Sequence, residues 1–149
     1  MNRAEDTTWS LIRQLGYAGL IPFVVLALCL WLVGPELHPW VALSMQGYGA
    51  AIVSFLGGIH WGVGFRNAIT MHKAPRLHFL WGVVPSLLAW VGVTMPAFAG
   101  LPLLGFVLIG CYLVDRRTWP GAGLAPWLPM RLQLTVVASL SCFLAAAAT

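Results

Sequence analysis

Residues 46–65 read QGYGAAIVSFLGGIHWGVGF, a run without Asp, Glu, Lys or Arg. Wound as an α-helix at about 1.5 Å per residue, such a run covers about 30 Å, the thickness of a bilayer's hydrocarbon core. It is dense in glycine, with Gly47, Gly49, Gly57, Gly58, Gly62 and Gly64. Glycine costs about 1 kcal/mol relative to alanine inside a helix, and in lipid what offsets that cost is close approach of a neighbouring backbone. Gly47 and Ala51, Ser54 and Gly58, and Gly58 and Gly62 lie four apart and share a small-residue face. Three occupants suit such a face: another helix of the same bundle, a flat ligand, or a second copy of the chain.

Outward from this run the apolar pattern recurs. Spans are expected at about 11–33, 41–65, 77–95, 99–114 and 130–148. The fold class is therefore all-α, a polytopic five-transmembrane-helix bundle forming a single integral membrane domain over residues 1–149. The cations orient it. Arg3 and Arg13 precede the first span; Arg66, Lys73 and Arg76 join the second to the third; Arg116, Arg117 and Arg131 flank the connection from the fourth to the fifth. The other two connections, GPELHP and MPAFAGLP, carry no Lys or Arg. The positive-inside rule then puts the N-terminus in the cytoplasm and the C-terminus outside. Pro22 predicts a kink in the first span. RNAITMHKAPR reads as a semi-extended inner loop, and DRRTWPGAGLAPWLP as a segment lying along the inner interface.

Composition excludes several classes. The chain is 60% hydrophobic and 8% charged, with a mean hydropathy of +0.85, whereas soluble domains are about a quarter charged. The net charge of +4 does not point to nucleic acid, because the basic groups spread along one membrane face. There they meet anionic lipid, each contributing about 1 kcal/mol. Cys29, Cys111 and Cys142 sit inside apolar stretches without metal-ligand spacing and read as packing residues. The tail MNRAEDTTWS is polar, so no cleavable signal peptide is visible. The spans show no internal repeat, which argues against a transporter built from inverted halves.

Polar chemistry concentrates towards the basic end. His60 is read as the one histidine inside a span, about 10 Å from its centre if that centre is near Val53, and no second buried histidine is expected beside it. An ionisable group at such depth is a functional candidate. His60, Trp61, Trp81, Tyr112, Asp115 and Arg116 share that depth and form the candidate ligand-binding set, while Gly47, Ala51, Ser54, Gly58 and Gly62 form the candidate helix-packing set. Asp115 is expected to pair with a flanking or facing arginine, giving either a charge layer that holds the bundle in register or a site for a polar-headed lipophile. No paired carboxylates, Ser/His/Asp arrangement, HExxH or phosphate loop is present. No catalytic residue, metal site or cofactor is assigned.

LGYAGLIPF, YGAAIVSFLGGIHWGVGF, WGVVPSLLAW, DRR and RLQLT together resemble the domain of unknown function 3429 family, which includes mitochondrial transmembrane protein 69. The likeness runs from about Leu15 to Thr135, and FLGGIHWG is its most specific piece. It implies a multi-pass protein of the bacterial inner membrane, or of the mitochondrial inner membrane, and supplies no activity. Tryptophan-rich sensory proteins share the length and span count, an architectural analogy only. Two functions are thus expected to compete. One is a non-enzymatic accessory or assembly partner of a larger membrane complex acting through the glycine-rich helix. The other is a binder or sensor of a lipophilic ligand (quinone, tetrapyrrole or lipid) near the cytoplasmic leaflet. Another membrane protein or a homo-oligomer is the expected partner.

Overall fold

Proline and glycine set the element boundaries. In the computed structural model, which describes residues 3–71 and 76–149, α1 (Arg3–Ala18) and α2 (Ile21–Leu32) together make the first span. They are separated at Gly19–Leu20, where the Leu20 N–H turns back to the Tyr17 carbonyl at 3.0 Å. Pro22 falls in the first turn of α2, where no amide donor is needed. The break expected from Pro22 is thus present, and the Tyr48 hydroxyl donates to the Gly19 carbonyl at 2.8 Å.

Four more helices follow: α3 (His38–Met71), α4 (Arg76–Thr94), α5 (Ala97–Thr118) and α6 (Leu128–Ala147). Short 3₁₀ turns at Pro120–Ala122 and Ala125–Trp127 join the last two. All described secondary structure is helical, with five spans long and apolar enough to cross a membrane: Thr7–Leu32, His38–Met71, Arg76–Thr94, Ala97–Thr118 and Ala125–Ala147. One expectation is corrected. RNAITM is not a semi-extended loop; α3 continues through it to Met71, because nothing between Phe65 and Met71 breaks a helix. Lys73 and Pro75, also assigned to that loop, lie outside the described residues.

Successive spans run antiparallel, so one end of the bundle gathers Arg13, Arg66, Arg76, Arg116, Arg117 and Arg131. Helix α3 packs on α2, α4 and α5; α5 also packs on α4 and α6, and α6 returns to α2. The core holds Phe23, Met45, Val53, Leu101, Leu104 and Leu108. The outside is apolar as well, with Leu32 81%, Leu80 70% and Phe106 64% exposed. Water would oppose that surface; lipid accepts it. Cys111 and Cys142 are buried among apolar neighbours and Cys29 is half-buried.

Close approach depends on glycine at a few places. A Cβ on Gly57 would stand 2.3 Å from the Gly82 carbonyl oxygen, so α3 and α4 meet backbone to backbone. At the end remote from the arginines, a Cβ on Gly100 would stand 2.2 Å from the Gly92 carbonyl oxygen. There the Gln46 amide donates to the Gly92 and Met95 carbonyls, both at 3.0 Å, satisfying groups that the end of α4 leaves free.

Candidate functional site

The face of α3 that packs inside the chain is not the one its glycine spacing singled out. Gly57 and Gly64 meet α4, and Gly49 meets Leu104. Gly47, Ala51, Gly58 and Gly62 are exposed and Ser54 is half-buried. A Cβ on Gly47, Gly58 or Gly62 would meet nothing within 4 Å. The expected packing face is thus corrected as regards this bundle: small residues occur on two sides of α3, and spacing alone does not say which turns inward.

His60 lies on the inward side, 2% exposed. Its Nε2 is 2.9 Å from Asp115 Oδ1 and its Nδ1 is 3.1 Å from His78 Nδ1. Asp115 Oδ2 accepts from Arg131 Nε at 2.9 Å. Arg131 Nη1 donates to Thr135 Oγ1, whose hydroxyl donates to the Arg131 carbonyl at 2.9 Å. The hydrogen-bond chain runs His78–His60–Asp115–Arg131–Thr135 and joins α4, α3, α5 and α6 at one depth.

The donor pattern follows from elementary roles. An ionised carboxylate only accepts, so His60 donates from Nε2 to Asp115. The contact between the two Nδ1 atoms makes one ring the donor and the other the acceptor. Asp115 and Arg131 cancel as a charge pair. A buried pair of this kind adds little net stability by itself, but removing either partner strands a charge in a low dielectric. The arrangement locks four helices together.

His78 is the residue that the sequence reading missed. It is 8% exposed and directly bonded to His60, which corrects the expectation that no second buried histidine stands there. The pairing follows from the register of α3 against α4, anchored where Gly57 meets Gly82, which only the folded bundle reveals. Asp115 pairs with the facing Arg131 rather than its flanking neighbours. Arg116, placed in the candidate set, is exposed along with Arg117, because each is turned about 100° further round the helix from the buried side. Trp61 is 39% exposed, packs edge-on against Phe65 and Phe79, and donates to the Phe79 carbonyl at 3.0 Å. Trp81 and Tyr112 are half-buried, outside the hydrogen-bond chain. With both ring nitrogens of His60 engaged within the protein, a ligand bonding His60 would have to displace His78 or Asp115. Among the described residues, no group of three His, Cys, Asp or Glu is placed to hold a metal ion.

The connection between α5 and α6 completes this end of the bundle. Trp119 is buried, Trp127 stacks on Trp9 with ring centroids 3.9 Å apart, and Arg66 donates to the Ala122 carbonyl at 2.6 Å. The Tyr17 hydroxyl donates to the Gln133 side-chain oxygen, tying α1 to α6.

Helices of this length and apolar exterior, closed around a paired charge, define a small multi-pass membrane protein. The chain belongs to the family described as "Protein of unknown function (DUF3429)", whose model matches residues 10–147. Over 79 residues, 53% of this chain, it is 40% identical to transmembrane protein 69 of Xenopus tropicalis. The matched stretch spans 30% of that relative's length. No solved structure matches the chain.

Proposed function

We propose that this protein is a non-enzymatic accessory or assembly partner of a larger complex in the membrane, docking through the outward face of α3. The observation that carries the reading is the free space along that face: Gly47, Gly58 and Gly62 have nothing within 4 Å of a would-be Cβ, with Ala51 exposed between them. Glycines on a lipid-facing surface sacrifice helix propensity without any return from lipid packing. A second helix packed against them restores that loss through close contact. The buried charge network and the internal glycine contacts supply the rigid support that such a surface needs.

The arginine-bearing end is proposed to face the cytoplasm of a bacterial inner membrane, or the equivalent side of a mitochondrial inner membrane, in contact with anionic lipid. The support is the clustering of cations at that end, to which the positive-inside rule applies.

Gly58→Leu places a bulky side chain where the fold leaves room. Affinity purification in mild detergent is expected to recover a stoichiometric membrane partner with the native chain. The variant should stay folded and lose about 1–2 kcal/mol of helix–helix association, about 5- to 30-fold in affinity. A chain that stays monomeric and unpartnered under cross-linking, or undiminished capture by Gly58→Leu, would refute this reading.

A further inference from the structure

Arg66 donates to the Ala122 carbonyl and Arg131 is paired with Asp115, but among the described residues Arg13 has no ion pair and no side-chain hydrogen bond. It lines a hollow of about 450 Å³ between α1 and the start of α6, together with Trp9, Tyr17, Trp127 and Gln133. Arg13 and Gln133 are exposed residues on that wall, so their polar ends are open to it. The Tyr17 hydroxyl occupies Gln133 Oε1, which leaves the amide N–H groups of Gln133 and the guanidinium of Arg13 as donors. The stacked indoles of Trp9 and Trp127 can add only N–H donors. Among the described residues, no Asp or Glu lines the hollow. Donors, one positive charge and no carboxylate suit an anion rich in acceptor oxygens.

We propose that this hollow holds the headgroup of an anionic phospholipid, with Arg13 and Gln133 donating to its phosphate. A guanidinium meets phosphate through charge-assisted bonds that can be bidentate. Continuity with lipid selects a phospholipid over a soluble anion. At Tyr17 the hollow adjoins a second groove of about 330 Å³, lined by Leu20, Ile21, Val24, Val25 and Val137. Ile21 and Val25 are 60% and 49% exposed, so this groove opens on the apolar exterior and gives an acyl chain a bed beyond the headgroup. Trp and Tyr gather at the headgroup level of membrane proteins, and Trp9, Tyr17 and Trp127 supply them here. The single charge of Arg13 favours an anionic headgroup, because a zwitterionic one brings its own cation. The exposed Arg116 and Arg117 lack this setting, since the hollow they line has only Leu113 beside them. This site deepens the reading that the arginine-bearing end meets anionic lipid. It stands whichever way that end faces, and whether or not α3 docks a partner.

The test uses the full chain in detergent micelles, titrated with phosphatidylglycerol or with phosphatidylcholine of the same acyl chains and followed by native mass spectrometry. One phosphatidylglycerol per chain should bind saturably, about 5-fold more tightly than phosphatidylcholine, the effect of one charge. Arg13→Gln is expected to weaken binding about 10-fold or more, as loss of a charged donor requires. Gln133→Glu keeps an acceptor for Tyr17 but sets a carboxylate beside Arg13, and should abolish the preference for phosphatidylglycerol. Arg116→Gln removes the same charge outside the hollow and should leave affinity unchanged. Equal binding of the two lipids overturns the proposal, as does an equal loss in Arg116→Gln and Arg13→Gln. So does release of the lipid by excess glycerol phosphate, or cross-linking that finds a second copy of the chain closing the hollow.

Discussion

Asp115 receives hydrogen bonds from two helices at once, and the pair it forms with Arg131 is almost fully enclosed, at 2% and 6% side-chain exposure. Such a pair is costly to break from one side and much less so from both. Asp115→Leu and Arg131→Met are each expected to lose about 3–5 kcal/mol of stability, because each leaves one buried charge without its partner. The double variant removes both charges, so its loss should lie well below the sum of the two single losses. Reversible unfolding of the four proteins in detergent checks this through a double-mutant cycle. Additive losses would mean that the two groups do not depend on one another. His78 belongs to the same scale: it bonds the nitrogen of His60 that Asp115 does not use, at 3.1 Å, and so holds the ring in the orientation Asp115 requires.

At the scale of the element, α3 carries glycine for two different reasons. Gly57 stands where the Gly82 carbonyl leaves no volume for a methyl group, while Gly58, its chain neighbour, has open space. Gly57→Ala is expected to cost about 1–3 kcal/mol through forced separation of α3 and α4. Gly58→Ala should be neutral, or stabilising by up to about 1 kcal/mol through helix propensity. Thermal unfolding of the two variants under identical conditions separates the cases. Equal losses would contradict the assignment of inner and outer faces. The length of α3 has a consequence too. Its extension to Met71 carries Arg66 into contact with the α5–α6 connection at Ala122, tying that connection to the bundle.

For the whole molecule, the two ends of α3 lie at opposite ends of the bundle, and Thr149 lies at the end remote from the arginines. Met71→Cys and Thr149→Cys, each in a Cys29→Ala background, report on this directly, since Cys111 and Cys142 are buried. In intact bacterial cells, a membrane-impermeant maleimide is expected to label Cys at 149 at once. Cys at 71 should need permeabilised cells. Labelling of both positions from the same side would remove the orientation proposed here and, with it, the contact of the arginine end with anionic cytoplasmic lipid.

Which parts were legible in the sequence follows from the physics of each. Span number, the break near Pro22 and the grouping of cations at one end all depend on local properties. Hydropathy adds along a chain, and the helical rise converts position into depth. Rotation about each helix axis is different. In a soluble helix an apolar stripe marks the buried side, but here Leu80, Trp90 and Phe106 face outward as readily as Leu101 and Leu104 face inward. With no contrast between lipid and core, only the packed structure could select Gly57 over Gly58, bring His78 to His60, and choose Arg131 over Arg116.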